Sequence, residues 1–341
     1  MTIRVGVLGA GTVGGALVSR LVTDRVAIRL KSGVDLEVRR VAVRDLSKER
    51  PFDLKTGVMT DDPMSVVTDP SIDVIVEVVG GLDPAGELVL AALRSGKPVV
   101  TANKELIATR GREITDAARR AGVSVMYEAA VGGGIPVIRP LAESLAGEDI
   151  DVVSGIVNGT TNYILTAMAK EGRSYGDALE EAQRLGYAEP DPADDVSGRD
   201  AAFKTAILAS LAFGEQVAPW EVACQGIEEV TVEDVAAAGE RDEVIKLVGS
   251  ARRGSDGRVV AKVEPASLPS DHPLAGVNGV TNAIFIEGPS VGRLLFTGPG
   301  AGGDATASAM LGDLIQVASR GRAPRQRSPH DPKPKRQVLH R

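Results

Sequence analysis

The sequence predicts an α/β protein in which a Rossmann-like parallel sheet, with helices on both faces, is joined to a second α+β unit. The first third of the chain alternates short β-branched apolar runs with helical patterns, as a parallel sheet buried on both faces requires. A length of 341 residues suits two domains. Gly132-Gly133-Gly134 followed by Pro136 marks a break in composition, which we take as the end of the first unit.

Turn signals bound the expected elements of the first unit. Glycines close the apolar run 3–8, and Pro84 opens a helix at a position where its missing N–H has no cost. Gly122 ends the last helix of this unit. The expected strands are 3–8, 36–43, 72–79, 98–101 and 123–127, and the expected helices are 13–23, 84–96 and 105–121.

The second unit is predicted to mix helices and strands. Its most apolar helix spans 199–213 and follows a Pro- and Asp-rich stretch, 186–198, that is expected to be a loop. A second glycine-rich stretch, 298–303, leads into the last helix. The other expected helices are 137–146, 160–171, 174–185, 233–251 and 304–319, and the expected strands are 151–158, 258–264, 282–287 and 291–297.

Charge is distributed unevenly along the chain. The net charge is −7, but residues 321–341 hold seven basic groups and one acid, which leaves −13 on residues 1–320. An acidic body argues against a nucleic-acid-binding main domain, because phosphate contacts need clustered Lys and Arg. The proline-rich basic end is predicted to be a disordered tail, more simply a solvated arm than a contact for nucleic acid or a partner.

The scarcity of cysteine and histidine limits the available chemistry. Cys224 is the one cysteine, which excludes an intrachain disulfide and a cysteine cage for a metal. Two of the three histidines, His330 and His340, lie in the tail, so a histidine metal centre or a Ser/His/Asp triad is disfavoured. The N-terminus lacks signal-peptide features, and no apolar run approaches about 18 residues. We therefore expect a cytoplasmic protein without a membrane segment.

The first motif with chemical content is Gly9-Ala10-Gly11-Thr12-Val13-Gly14, between a predicted strand and a predicted helix. In that context G-x-G-x-x-G is typical of a dinucleotide site. Gly9 permits the tight turn, Gly11 lets the backbone approach a pyrophosphate, and Gly14 lets the helix pack on the strand. The alternative interpretation is a plain glycine turn.

The end of the second strand should decide the cofactor. It reads Val43-Arg44-Asp45. Asp45 could accept a ribose hydroxyl and favour NAD, whereas Arg44, with Lys48 and Arg50 nearby, could hold the 2′-phosphate of NADP. We predict NADP and keep NAD as the alternative.

A lysine lies inside the apolar helix 199–213. Lys204 stands next to Phe203 and four residues after Asp200, so the lysine and the aspartate share a helix face. Burial of a lysine is unfavourable unless it is paired. The pattern therefore fits either an ordinary ion pair at a helix edge or a lysine in a cleft, its pKa lowered by desolvation and raised by Asp200.

Two further groups have the composition of binding sites. The acidic stretch 186–195 could bind an ammonium group or a metal, or could be a solvated turn. Thr101-Ala102-Asn103-Lys104 follows a predicted strand, at the end of the sheet where open α/β folds place ligands. Lys104 is therefore expected to face the nicotinamide end of a cofactor.

Together these groups resemble the homoserine dehydrogenase family over about residues 3–320. The most specific match is residues 186–204, which read Gly-Tyr-Ala-Glu-Pro-Asp-Pro, then Asp-Asp-Val-Ser-Gly-Arg-Asp-Ala-Ala-Phe-Lys after one alanine. The other matching segments are 9–14, 101–104, Glu128 with Val131-Gly132-Gly133-Gly134-Ile135-Pro136, and Asn158-Gly159-Thr160-Thr161-Asn162-Tyr163.

The resemblance implies catalytic and substrate-binding roles for five residues. Lys204 would be the general acid/base on the carbonyl or hydroxyl oxygen of the substrate, and Lys104 would lie near both nicotinamide and substrate. Glu189 and Asp200 would hold the substrate, with Glu189 near its ammonium group and Asp195 nearby.

The resemblance also implies a cation site and a further cofactor contact. Glu128, with the backbone carbonyls of Val131, Gly133 and Ile135, would match the monovalent-cation site of the family, taken to hold a structural sodium. Gly302 would return to the cofactor.

The implied activity is reversible NAD(P)H-dependent reduction of L-aspartate 4-semialdehyde to L-homoserine, in threonine, methionine and isoleucine biosynthesis. The implied domains are a discontinuous nucleotide-binding domain, 1–134 with 300–320, and a catalytic, dimerising domain, 135–299. A homodimer would form through the sheet of that second domain. Many members carry a C-terminal regulatory domain that binds amino acids, where this chain has only its tail, so a short form without threonine feedback is expected.

Three other functions fit parts of the sequence. A phosphorylating semialdehyde dehydrogenase needs a nucleophilic cysteine assisted by a base, and Cys224 has no basic neighbour in sequence. An amino-acid dehydrogenase would require ammonia. A dinucleotide sensor of the same fold would not need the set of Lys104, Glu189, Asp200 and Lys204.

Overall fold

The first sheet has six parallel strands in the order β3-β2-β1-β4-β5-β6, the order of Rossmann-type sheets. A computed structural model describes residues 2–320, except for the side chain of Arg320. The predicted parallel sheet is confirmed. Its strands are β1 (Thr2–Leu8), β2 (Asp35–Ala42), β3 (Met59–Thr60), β4 (Val74–Glu77), β5 (Val99–Thr101) and β6 (Val125–Met126).

Helices cover both faces of this sheet because successive strand residues point to opposite sides. Val74 and Val76 belong to one apolar cluster, whereas Ile75 between them belongs to another. The helices are α1 (Thr12–Thr23), α2 (Arg25–Ser32), α3 (Pro63–Thr68), α4 (Ala85–Arg94) and α5 (Lys104–Ala121).

The second sheet is mixed and has the order β12-β11-β7-β9-β10-β8. Only the pair of β8 and β10 is parallel among its described strands. The strands are β7 (Val152–Ile156), β8 (Ala223–Cys224), β9 (Glu243–Arg253), β10 (Val259–Pro269), β11 (Thr281–Gly288) and β12 (Gly292–Pro299). The helices are α6 (Gly159–Glu171), α7 (Tyr175–Arg184), α8 (Ala193–Val196), α9 (Arg199–Phe213), α10 (Val232–Glu240) and α11 (Gly303–Arg320).

The last helix, α11, returns to the first sheet. Met310 and Leu314 are fully buried in the same apolar cluster as Val5 and Val76. At its start, a Cβ on Gly303 would lie 3.1 Å from the carbonyl oxygen of Thr12. The C-terminal helix therefore packs beside α1.

The helix predicted at 233–251 is wrong. Helix α10 ends at Glu240, and β9 begins at Glu243 after a turn in which Asp242 has a φ of 58°. Strand β9 is hydrogen-bonded on both sides, to β7 and β10, so sheet pairing determines the conformation of this apolar segment. The predicted helix 137–146 contains a π-helical turn, Pro140–Ser144.

The loop predicted at 186–198 includes the short helix α8. The predicted basic tail, 321–341, lies outside the described residues. Within residues 2–320, no helix combines the length and apolar character that crossing a bilayer would require.

Candidate functional site

A cleft of about 420 Å³ opens between the two sheets, where α5 packs against α9. One wall comes from the loops after β4 and β5, and the other comes from the acidic stretch before α9. The cleft brings together the predicted residues Lys104, Glu189, Asp195 and Asp200, with Phe203 at its side.

A buried glutamate holds the wall that carries Lys104. Glu77 ends β4 with no exposed surface, and its carboxylate accepts from the Thr101 hydroxyl at 2.6 Å and from the Val79 N–H at 2.7 Å. The Thr101 oxygen in turn accepts from the N–H of Asn103 at 2.9 Å. Because Asn103 caps α5, this chain of bonds places Lys104 at the first position of the helix.

Asp200 lies at the centre of the cleft and is shared by two lysines. Its Oδ2 lies 2.6 Å from the Lys204 Nζ, and its Oδ1 lies 3.0 Å from the Lys104 Nζ. Asn158 donates a further bond to Oδ2 at 2.9 Å. Lys204 also donates to the Val157 carbonyl at 2.7 Å, and its side chain is only 12% exposed. Lys204 is thus a paired, largely buried lysine that contacts the cleft residue Asp200 but does not itself line the cleft.

Opposite charges fix the protonation of this group. Burial alone would raise the pKa of Asp200, but the Lys204 and Lys104 charges outweigh it and hold that pKa well below its usual range. Burial alone would lower the pKa of Lys104, but the charge and hydrogen bond of Asp200 raise it. At neutral pH the cleft therefore contains an ionised Asp200 beside a protonated Lys104.

The acidic side of the cleft is anchored by the start of α6. Asp195 accepts from the Asn158 side-chain amide at 2.7 Å and lies 3.0 Å from the Thr160 hydroxyl. Glu189 is exposed, and within residues 2–320 its carboxylate has no ion pair or hydrogen bond. The Glu189 carboxylate is therefore available to a cationic ligand group.

The glycine motif fits a dinucleotide phosphate. Gly9 has a φ of +98°, and a Cβ on Gly14 would lie 2.3 Å from the Gly9 carbonyl oxygen, so both positions require glycine. A Cβ on Gly11 would meet open space. The first turn of α1 has neither an acidic residue nor a side-chain cap, which leaves its N–H groups for an anion. Gly302 precedes Gly303, which lies against Thr12.

The loop after β2 presents an exposed arginine beside an exposed aspartate of which one carboxylate oxygen, Oδ1, is engaged. Arg44 is exposed and has no ion pair among the described residues. Asp45 turns back on its own loop, where it accepts from the Ser47 N–H at 2.8 Å and the Ser47 hydroxyl at 2.6 Å. The hydrogen bond from the Ser47 hydroxyl, and to a smaller extent that from the Ser47 N–H, lowers the pKa of Asp45.

The predicted cation site has its carboxylate already engaged. Glu128 accepts from three successive backbone N–H groups, at 2.7, 2.8 and 3.0 Å, and so caps the helical turn that follows Ile135. The carbonyls of Val131, Gly133 and Ile135 accept none of the hydrogen bonds found among residues 2–320. No cluster of three or more His, Cys, Asp or Glu side chains suited to a metal occurs in the same part of the chain.

Sequence reasoning missed three residues that hold the site together. Glu77 could have been found as the one acid at the end of an apolar strand. Asn158 and Thr160 lie in a segment quoted for the family resemblance, yet they were given no role there. Their polar side chains directly follow strand β7, which is a signal for a site at that strand end.

Comparison with known proteins finds relatives that match most of the chain. The family models described as homoserine dehydrogenase and as its NAD-binding domain match residues 136–315 and 9–128. The homoserine dehydrogenase of Corynebacterium glutamicum is 48% identical over 94% of this chain and 74% of its own. That of Thiobacillus denitrificans superposes with a TM-score of 0.89 at 45% identity, covering 94% of this chain and 74% of the other. A hyperthermophilic archaeal homoserine dehydrogenase in complex with NADPH superposes with a TM-score of 0.76 at 31% identity. The match covers 94% of this chain and 98% of the other.

Asp200→Asn should lower the pKa of Lys104, because the charge that raises it is lost while the burial that lowers it stays. Mass spectrometry of amine labelling against pH should then show Lys104 reacting at lower pH than in the parent. Asp191→Asn changes an exposed acid of the same cleft and should leave the labelling curve in place. An unshifted curve in Asp200→Asn would contradict the assigned coupling.

Proposed function

Because the chain belongs to the homoserine dehydrogenase family, we propose that it reversibly reduces L-aspartate 4-semialdehyde to L-homoserine with a nicotinamide dinucleotide. The observation that carries this proposal is the cleft itself. Two lysines surround one buried carboxylate, the unengaged Glu189 and the hydrogen-bonded Asp195 line the same cleft, and the adjacent sheet carries a dinucleotide motif.

The charges of the cleft match those of the substrate. The substrate carries an ammonium group at one end and a carbonyl or hydroxyl oxygen at the other. Glu189, and behind it Asp195, would attract the ammonium group. Lys204 and Lys104 would face the oxygen, on which negative charge develops during reduction. The substrate is therefore oriented before any bond changes.

Lys204 is the proposed proton donor. The cofactor would supply the hydride to the aldehyde carbon, and the electron pair of the C=O bond moves to the oxygen. The Lys204 ammonium then gives one proton to that oxygen, forming the hydroxyl of homoserine. Asp200 and the Val157 carbonyl hold the Lys204 Nζ in place. In the reverse direction Lys204 accepts the proton and must begin neutral, so oxidation should favour alkaline pH.

NADP is the proposed cofactor, with NAD as the alternative. The supporting observation is the exposed Arg44 beside an Asp45 that is engaged by Ser47. A guanidinium suits a 2′-phosphate, whereas NAD recognition would use the Asp45 carboxylate, of which Ser47 holds Oδ1.

We also propose a structural sodium at the connection between the two sheets. The support is three buried residues, Val131, Gly133 and Ile135, whose carbonyls receive no hydrogen bond within residues 2–320. The Glu128 carboxylate would act indirectly, by fixing the neighbouring turn. Replacing sodium with choline should lower the unfolding midpoint; an unchanged midpoint would count against the site.

The family also supports a domain division and an assembly. The proposed domains are 1–134 with 300–320, for the nucleotide, and 135–299, for substrate and dimerisation; the support for including 300–320 is the packing of α11 against the first sheet. The homodimer would use the second sheet, whose edge strand β12 exposes Leu295 by 44%. Light scattering should give the mass of two chains, and a monomer at all concentrations would contradict this.

Cysteine-based catalysis gains no support. Partial burial, followed by the Glu228 charge, raises the pKa of the Cys224 thiol, which disfavours the nucleophilic thiolate. Cys224 also lines a different pocket, together with Trp220 and Val222.

Lys204→Ala should reduce kcat about 10²–10⁴-fold, the range for loss of a general acid, while NADPH binding is kept. NADPH oxidation with aspartate semialdehyde measures turnover, and NADPH fluorescence measures binding. Lys170→Ala removes an exposed lysine and should behave as the parent does. Near-normal turnover by Lys204→Ala would remove Lys204 from its proposed role.

Arg44→Ala should raise the KM for NADP about 10–100-fold, the effect of losing a charge-assisted bond, and leave the KM for NAD unchanged. Initial rates with homoserine and each cofactor test this. Arg39→Ala, an exposed arginine on β2 bonded to Ser71, is the matched control. Equal effects on both cofactors would overturn the assignment of Arg44 to the 2′-phosphate.

A further inference from the structure

Strand β9 carries a buried lysine that the proposed mechanism does not use. Lys246 is 2% exposed, and its ammonium has no carboxylate partner among the described residues. It donates instead to neutral oxygens: the Val277 carbonyl at 2.6 Å, the Asn162 side chain at 3.1 Å and the Asn278 side chain at 3.3 Å. A buried charge without a counter-ion is unfavourable, so this arrangement calls for an explanation.

The oxygens around Lys246 connect it to the start of α6. Asn162 lies four residues after Asn158, one turn further along the same helix. The Asn162 amide also donates to the Thr281 carbonyl at 3.0 Å, which ties α6 to β11. The Thr166 hydroxyl, one turn beyond Asn162, accepts from the Gly279 N–H at 3.2 Å.

The other end of this helical segment meets the cleft. Asn158 caps α6 through its Oδ1, which accepts from the Thr161 N–H at 2.9 Å. Its side-chain amide is thereby turned to Asp195 and Asp200, at 2.7 and 2.9 Å. A displaced first turn of α6 would therefore displace both carboxylates.

We propose that Lys246 is a positioning residue, which locks the first turns of α6 so that Asn158 holds Asp195 and Asp200 in the substrate cleft. The Lys246 ammonium lies within hydrogen-bond distance of four oxygens; those of Val277, Asn162 and Asn278 are the nearest three, and the Thr166 hydroxyl lies at 3.5 Å. A neutral apolar side chain would leave all three oxygens without that donor. The substrate-binding part of this inference rests on the proposed function.

The ionisation of Lys246 agrees with this geometry. Burial, with a smaller effect of the Lys170 charge, lowers the pKa of Lys246 to about 8. The group is therefore still mainly an ammonium at neutral pH, when it can donate to all three oxygens.

The test compares Lys246→Met with Lys97→Met. Lys97 is a second buried lysine without a carboxylate hydrogen bond; it donates to the Val67 and Asp69 carbonyls, away from the cleft. Both variants should lose stability. Lys246→Met should also raise the KM for homoserine about 10–100-fold, with a smaller change in kcat and unchanged NADP binding, because the acids that hold the substrate move. Lys97→Met should keep the parent KM.

A second readout does not depend on turnover. Hydrogen exchange at the Thr161 and Asn162 amides, which both donate to Asn158, should become faster in Lys246→Met and not in Lys97→Met. If the parent fails to turn over homoserine while exchange changes as expected, the proposed function fails and the positioning of α6 stands. If the two variants are alike in both KM and exchange, Lys246 is merely structural and the inference is overturned.

A milder variant covers the case in which Lys246→Met does not fold. Asn278→Ala removes one acceptor at the partly exposed end of the group. A raised KM for homoserine with faster exchange at the Thr161 and Asn162 amides supports the positioning role. Parent values for both quantities overturn it.

Discussion

The cleft depends on one ionic contact, the buried Asp200 carboxylate shared by Lys204 of its own helix and Lys104 of the other unit. A carboxylate with 9% side-chain exposure is tolerated only when its charge is compensated. Removal of either lysine leaves Asp200 undercompensated, so the two lysines cannot be varied independently. The contact with Lys104 also joins α5 to α9, and it closes the cleft at the junction of the two sheets.

Buried polar side chains hold both partners of that contact, Lys104 on one side and Asp200 on the other. On the first sheet, Glu77 receives the Thr101 hydroxyl and so fixes the beginning of α5. On the second, Asn158 joins Asp200 to Asp195. Lys204, the proposed proton donor, is therefore held by a network that spans both sheets, whereas the Glu189 carboxylate has no partner within residues 2–320. A cleft with carboxylates and lysines held in place, and one carboxylate free at its rim, suits recognition of a small zwitterion.

Local patterns predicted the fold well where neighbouring residues decide the structure. Helix 199–213 was predicted with the ends that it has, because Gly198 and Gly214 both adopt left-handed backbone at its boundaries. The predicted helix 233–251 was wrong over residues 243–251, because the place of β9 inside the sheet depends on distant partners, β7 and β10. Periodicity over a short apolar run does not distinguish these two cases.

The candidate site shows the same difference between contacts that are local in sequence and contacts between distant segments. The pairing of Asp200 with Lys204 follows from a spacing of four on one helix, so the sequence alone suggested it. The arrival of Lys104 at the same carboxylate depends on how two sheets meet, and only the family resemblance had brought those residues together. The buried roles of Glu77, Asn158 and Lys246 were not predicted, since each acts through contacts with residues far along the chain.

The most direct measurement is a crystal structure of the chain with homoserine and oxidised NADP. The hydroxyl oxygen should lie within hydrogen-bond distance of the Lys204 Nζ, and the ammonium group should lie beside Glu189. A homoserine bound in the opposite sense, with its ammonium group at the lysines or its hydroxyl among the acids, would contradict the central claim.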